Sequence, residues 1–419
     1  MRYQIPYGRG QLTFQLPDGL AVDWIAPREA AGAADPLAAV AAALDAPVDG
    51  AGLAAHAGAR SAAVAINDKT RPVPLAHLLP PLLSRLEALG LPAAAITLLI
   101  ATGTHQPMPP EEFPAVVPAG PLGRYRVRSH DCDAPDLVDL GVTERGTRVQ
   151  VNRAFHEADL RIVVGNIEPH QFAGFSGGVK TAAIGLGGRA GINANHALLL
   201  DPRSQLGEYD ENPLRQDIEA MGDRQGVHLA LNAVLNNRKE IVHVLCGRPR
   251  AVMRAGVPLA RQVCQVPAAG PYDLLIVAPG GHPKDIIVYQ SQKAFGHASL
   301  IARPGGTVLV AAACPEGSGS ARHEAWMRQA PRDYAGVLER FRLSPFQLGP
   351  HKGFQIARDA SRVRLGWFSE MPAELAELLL LNPIADFQAA VDEAVAALPP
   401  AGRVAILPMA NATIPRLAG

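Results

Sequence analysis

Short apolar, β-branched runs recur along the chain at 64–66, 96–101, 161–164, 229–235, 241–245, 273–278 and 307–311. Between them lie stretches with helical spacing of apolar positions, at 75–89, 250–264 and 373–381, the first crossed by Pro80-Pro81 and the second by Pro258. A parallel strand must reach the next through a crossover that covers the sheet, so both its faces are buried and its sequence is apolar throughout. The alternation therefore predicts an α/β chain with mainly parallel sheets, doubly wound in the Rossmann-like manner in both halves.

The segment Pro267-Ala268-Ala269-Gly270-Pro271 has the composition of a linker and precedes a fresh strand start at Tyr272. The expected division is an N-terminal α/β domain over 1–268 and a C-terminal α/β domain over 269–419, with an interdomain active-site cleft. The tail after about 404 begins with the strand-like Val404-Ala405-Ile406-Leu407 and fits either domain on pattern alone.

Length supports two lobes, since 419 residues exceed what one core usually holds. Lys+Arg and Asp+Glu are equal at 39 each, and no basic stripe interrupts the balance. That excludes nucleic acid and anionic membrane as the main partner and leaves a small molecule. The apolar runs fall far short of the ~20 residues that cross a bilayer. The N-terminus lacks the apolar region and cleavage site of a secretory signal, so a cytoplasmic protein is expected. Cys132, Cys246, Cys264 and Cys314 stand far apart, which suggests buried thiols rather than disulfides or a zinc knuckle.

The unusual polar residues follow the predicted strands, where open α/β sheets place their ligands. Asn67-Asp68-Lys69-Thr70-Arg71-Pro72 follows the first run, Thr102-Gly103-Thr104-His105 the second, and Gly165-Asn166-Ile167-Glu168-Pro169-His170 the third. Asp68 and Thr70 could simply cap a helix, and each histidine alone could be a satisfied, partly buried ring. Two histidines at successive strand ends instead suggest a general acid/base pair acting on two faces of one substrate.

Gly174-Phe175-Ser176-Gly177-Gly178-Val179-Lys180-Thr181 reads as a glycine-rich turn entering a helix, where backbone amides of Ser176, Gly177 and Gly178 could hold a phosphate. Val179 stands where a P-loop needs glycine, so an NTPase is disfavoured. Gly185-Leu186-Gly187-Gly188-Arg189-Ala190 matches a relaxed dinucleotide spacing but follows no convincing strand. His196 could be an ordinary helix-surface residue. In the second half, Tyr289-Gln290-Ser291-Gln292-Lys293 follows another strand-end loop, and a helix beginning near Tyr289 would put Gln290 and Lys293 on one face.

Together these blocks resemble the nickel-pincer lactate racemase family. They are Asp68-Lys69-Thr70-Arg71-Pro72, Ala101-Thr102-Gly103-Thr104-His105, Glu168-Pro169-His170-Gln171-Phe172-Ala173, the glycine turn through Lys180, Asn195-His196 and Tyr289-Gln290-Ser291-Gln292-Lys293. Tyr7-Gly8-Arg9-Gly10 and Pro350-His351-Lys352-Gly353 also look like family blocks, so the resemblance spans nearly the whole chain. It implies a racemase or epimerase of small 2-hydroxy acids such as lactate or malate, an isomerase using a nickel-pincer nucleotide. That cofactor is a pyridinium mononucleotide whose thioamide and thiocarboxylate arms hold nickel. By the same resemblance Lys180 is the tether, His196 the protein ligand to nickel, and Thr70, Ser176, Gly177 and Gly178 further cofactor contacts. His105 and His170 become the acid/base pair, with hydride passing to the cofactor. Asp68, Arg71, Tyr289, Gln290 and Lys293 hold the substrate, Asp68 being placed to orient Arg71 or a histidine. Cofactor-biosynthesis proteins are implied as loading partners. Gln106 stands where family members often carry arginine, which leaves the choice of 2-hydroxy acid open. Two alternatives remain: a cofactor-binding homologue without turnover, and a nicotinamide-dependent dehydrogenase.

Overall fold

The computed structural model describes residues 1–417, which fold as two compact units, Glu29–Val263 and Met1–Arg28 together with Cys264 onwards. The unit Glu29–Val263 is built on β1 (Ala62–Asn67), β2 (Ile96–Ala101), β3 (Arg126–Ser129), β4 (Leu160–Asn166), β5 (Leu229–Leu235) and β6 (Ile241–Gly247), in the order β6-β5-β4-β1-β2-β3. All neighbours are parallel except β5 and β6. Along β1, Ala62, Val64 and Ile66 join one core while Ala63 and Ala65 join another. Two-sided burial is why this strand reads as an uninterrupted apolar run.

Four helices matter for the site: α1 (Leu75–Ala88), α2 (Arg189–Ala197), α3 (Pro213–Gln225) and α4 (Pro249–Cys264). Helix α1 continues through Pro80-Pro81 and packs Leu78, Leu79, Leu82 and Leu86 on the first core. Helix α4 continues through Pro258 and packs Val252, Met253 and Val257 on the second.

The other unit is a five-stranded sheet in which β7 (Tyr272–Val277), β8 (Ala302–Ala311), β9 (Arg364–Phe368) and β10 (Val404–Leu407) are joined by the short strand Val22–Trp24. Every neighbouring pair is parallel. The first 28 residues therefore do not belong with the N-terminal lobe, as the sequence division over 1–268 had them. Val22–Trp24 pairs with β10, and Ile5, Phe14 and Leu16 share a core with Leu274 and Ile276. The expected linker differs too: Gln265–Ala268 is a strand paired with Ile414–Leu417, which keeps the tail in this same unit. Helices α5 (Val288–Ala298) and α6 (Pro350–Ala360) belong here, and the helix expected over 373–381 ends at Leu378, before Leu380 at φ 59°. Among the described residues no helix is long and apolar enough to cross a membrane.

Candidate active site

In the six-stranded sheet the chain runs outward through β1, β2 and β3, then returns to place β4 on the other side of β1. That reversal is a topological switch point, where the loops at the carboxyl ends of two strands diverge and leave a crevice. The loops following β1, β2 and β4 carry Asp68 to Arg71, His105 and His170.

Asp68 is buried, and both its oxygens are engaged. Oδ1 accepts from the Thr70 amide at 3.1 Å and the Thr70 hydroxyl at 2.7 Å, a turn that aims the carboxylate inward. Oδ2 meets His105 Nδ1 at 2.6 Å. Of the two partners open to Asp68 in the sequence, the structure chooses the histidine. Burial pushes the Asp68 pKa up, but the hydrogen bonds from His105 and Thr70 and the His105 charge outweigh it and hold the group below the ordinary carboxylate value. The Thr70 hydroxyl hydrogen is thereby committed to Asp68, leaving only oxygen lone pairs for any ligand.

His170 lies in a two-residue ladder, Pro169–His170 against Gly174–Phe175, and its Nδ1 accepts the Ala173 amide at 3.2 Å. Its ring stands edge-on to Phe172 at 4.6 Å, and Phe172 in turn stands edge-on to His196 at 5.3 Å. Phe172 thus ties a strand-end histidine to one on α2, a role that a lone apolar residue in a loop does not announce. Gly174 closes the ladder at φ 68°, where a Cβ would sit 1.5 Å from the Glu208 carbonyl oxygen.

In the glycine turn, two of the three amides that the sequence offered to a phosphate are engaged within the protein. The Ser176 amide donates to Glu168 O at 2.7 Å, the Gly178 amide to Asn232 Oδ1 at 2.7 Å, and the Lys180 amide to Gly177 O at 3.3 Å. The following helix, Lys180–Ala183, has four residues. Gly178 is required for another reason: it sits at φ 56°, and a Cβ there would lie 2.6 Å from Met253 Cγ. The turn is held from below by Arg215 of α3, fully buried, which donates to Phe175 O and Gly177 O at 3.1 Å each and pairs with the buried Glu219. Tyr209 donates its hydroxyl to the same Glu219 oxygen at 2.9 Å.

Lys180 and His196 are both buried, so His196 is not the surface residue its helix position allowed. Burial, then the Arg71 and Arg215 charges, push the Lys180 pKa well below that of an ordinary lysine, against weaker opposition from Glu168 and Asp68. Burial, then the Lys180 and Arg71 charges, lower His196 to about 3, which leaves a neutral imidazole at neutral pH. Arg71 is therefore an electrostatic neighbour of both. Two buried polar atoms nearby in the fold, Ser176 Oγ in the turn and Asn166 Nδ2 at the end of β4, have no hydrogen-bond partner. Orphans of this kind are costly unless a ligand satisfies them. Among the described residues His196 belongs to no cluster of three metal-ligating side chains; the cluster that occurs, Asp131, Cys132 and Asp133, is a loop in which Asp133 pairs with Arg189.

Tyr289, Gln290 and Lys293 lie on α5 of the other unit, whose helix begins at Val288. Gln290 and Lys293 share a face, with Lys293 Nζ donating to Gln290 Oε1 at 2.8 Å. The buried Lys352 of α6 stands 4.7 Å over the Tyr289 ring and donates to Gln292 Oε1 at 3.2 Å.

Residues 7–207 match the lactate racemase N-terminal domain and residues 268–348 the lactate racemase C-terminal domain. The lactate racemase of Thermoanaerobacterium thermosaccharolyticum is 30% identical over 340 residues, 79% of each chain. That of Lactiplantibacillus plantarum is 32% identical over 256 residues, 60% of each chain. The solved structure of the lactate racemase apoprotein from Thermoanaerobacterium thermosaccharolyticum matches with a TM-score of 0.89 at 25% identity, covering 99% of this chain and 100% of that one. A Thermotoga maritima protein at 17% identity and TM-score 0.62, over 93% of this chain and 100% of its own, shares the fold. With both family domains matched in order and a relative aligned over most of its length, this chain belongs to the lactate racemase family, a family of isomerases.

Proposed function

We propose that the chain inverts the α-carbon of a small 2-hydroxy acid, lactate or a related 2-hydroxy carboxylate, using a nickel-pincer nucleotide. The observation that carries this reading is the convergence, at one switch point, of a carboxylate-braced histidine, a second histidine, and a buried amine and imidazole beside an arginine. The residues fit the cofactor the family implies. Lys180 offers a buried amine as tether, His196 a neutral imidazole as ligand, and Ser176 Oγ and Asn166 Nδ2 offer unmet hydrogen-bonding capacity. With no group of three metal-ligating side chains at His196 among the described residues, a metal held there would need donors from a bound group, as a pincer nucleotide provides. When bound, that group supplies the two-electron acceptor for the α-hydrogen, which is too weakly acidic for easy removal as a proton.

The chain's own residues handle charge and protons. Arg71, next to Lys180 and His196, presents a planar fork suited to a carboxylate. His105 and His170 exchange protons with the substrate oxygen, and Asp68 stabilises the imidazolium that forms on His105. Tyr289, Gln290 and Lys293 are taken as substrate-holding on the matched motif, and loading requires cofactor-biosynthesis proteins. A dehydrogenase reading loses its motif, because the helix Lys180–Ala183, not a strand, precedes Gly185.

The test is nickel-loaded protein incubated with single enantiomers of lactate, malate and longer 2-hydroxy acids, followed by optical rotation. Substrate deuterated at the α-carbon should invert with most of its label retained in ordinary water. Label lost to solvent in a single inversion points to a proton mechanism, and no inversion of any substrate leaves the homologue without turnover.

A further inference from the structure

The two strand-end histidines meet the protein through the same ring atom with opposite chemistry. His105 turns Nδ1 to Asp68 Oδ2 at 2.6 Å. Asp68 is held ionised at neutral pH by the hydrogen bonds it receives, and a carboxylate only accepts, so His105 Nδ1 carries the hydrogen. A neutral imidazole has one ring hydrogen, and His105 Nε2 is left with a lone pair. His170 turns Nδ1 to the Ala173 amide at 3.2 Å. An amide N–H only donates, so here Nδ1 bears the lone pair and the hydrogen of the neutral ring sits on Nε2.

We propose that the site is built asymmetric, with His105 Nε2 as proton acceptor and His170 Nε2 as hydrogen-bond donor, the Asp68 carboxylate and the Ala173 amide being the positioning groups that set these roles. The chemical meaning of the asymmetry rests on the racemase reading above. A substrate hydroxyl donates to His105 while a substrate oxygen lone pair accepts from His170. The hydroxyl proton leaves to His105, where the new imidazolium faces a carboxylate already in place. His170 cannot gain a proton without forming Nδ1–H, and that atom faces an amide hydrogen. Before His170 delivers a proton to the opposite face it must take one up from water, as His105 returns its own to water, and the Ala173 hydrogen bond must open for that uptake. Two residues that the sequence presents as equivalent thus differ in readiness, and the difference is set by one backbone amide in the turn that joins the strands of a two-residue ladder.

Ring-nitrogen NMR of the full-length chain labelled with ¹⁵N-histidine reads this directly, since two-bond correlations report which nitrogen carries the hydrogen. The chain has 13 histidines, and His105→Gln and His170→Gln identify two of the signals by their loss. At a pH where both rings are neutral, His105 should show its hydrogen on Nδ1 and His170 on Nε2. The same tautomer at both, or the reverse assignment, overturns the proposal. Asp68→Asn replaces a pure acceptor by an amide that also donates, so the His105 signal should move toward a mixture while that of His170 stays. An equal change at both rings would show that local partners do not set the roles. A chain that shows the two tautomers yet inverts no 2-hydroxy acid removes the proposed function and leaves the asymmetry standing.

Discussion

Asp68 Oδ2 and His105 Nδ1 are 2.6 Å apart, joining loops that leave two adjacent strands of one sheet. Because the carboxylate is buried and its other oxygen is fixed by Thr70, the imidazole has a defined orientation and a counter-charge in place. Asp68→Asn should lower racemisation by on the order of 10²–10⁴-fold, the usual range for a disabled general base. Added to His105→Gln it should cost little more, since the two act as one unit. Full additivity in initial rates would separate them. However the loss divides between kcat and KM, kcat/KM has to fall by the same factor in both directions, because a racemase has an equilibrium constant of one.

Much of this was readable before the fold. The apolar runs end at polar residues, and those ends lie at the switch point, so Asp68, His105 and His170 stand out as candidates from order alone. Local pattern could not choose between Arg71 and a histidine as the partner of Asp68, because the choice depends on which neighbouring loop the carboxylate faces. The glycine turn shows a related limit: the Ser176 and Gly178 amides are taken by Glu168 and Asn232, the latter on a strand far along the chain. Nothing in the sequence singles out Arg215 and Glu219, an i, i+4 pair whose two members are fully buried. The first 28 residues were misassigned because Val22–Trp24 is too short to show periodicity and pairs with β10, near the other end of the chain.

Lys180 and His196 should separate tethering from metal binding. His196→Ala should purify with little nickel by elemental analysis, and full occupancy would refute it as the ligand. Lys180→Ala should lose cofactor mass from the denatured chain in intact-mass spectrometry, whether or not noncovalent binding survives. Cofactor mass retained on denatured Lys180→Ala would place the tether elsewhere.

Arg215 is the interior support of the turn before Lys180. Arg215→Met leaves the Glu219 carboxylate buried without its cation and frees the Phe175 and Gly177 carbonyls, a change expected to cost about 3–5 kcal/mol in denaturant unfolding. Arg215→Met with Glu219→Leu removes both charges and should be the more stable of the two variants. A double variant weaker than the single one would mean that the hydrogen bonds to the turn, not the unpaired charge, dominate.

Acid should loosen the unit formed by Met1–Arg28 and the residues from Cys264 onwards through histidines outside the site. His297 and His323 are buried there, and burial lowers each from 6.5 to about 4; hydrogen bonds to Thr413 O and Ala410 O partly oppose it at His297, and the Lys352 charge reinforces it at His323. The sign follows from proton uptake. Between pH 6.5 and 4 the unfolded chain has protonated these rings and the folded chain has not, so the unfolded state binds more protons and stability falls as pH falls. Once the pH is below the folded value, a shift of this size corresponds to roughly 3 kcal/mol per histidine. The urea midpoint should therefore drop steadily from pH 7 to 4.5, a window above that in which most carboxylates titrate. His323 has neither ring nitrogen hydrogen-bonded, so His323→Leu removes a titrating group without orphaning a partner. That variant should show a shallower decline over the same range. An unchanged slope would mean that His323 takes up its proton without unfolding, and a flat profile in the parent chain would remove both histidines from the account of acid stability.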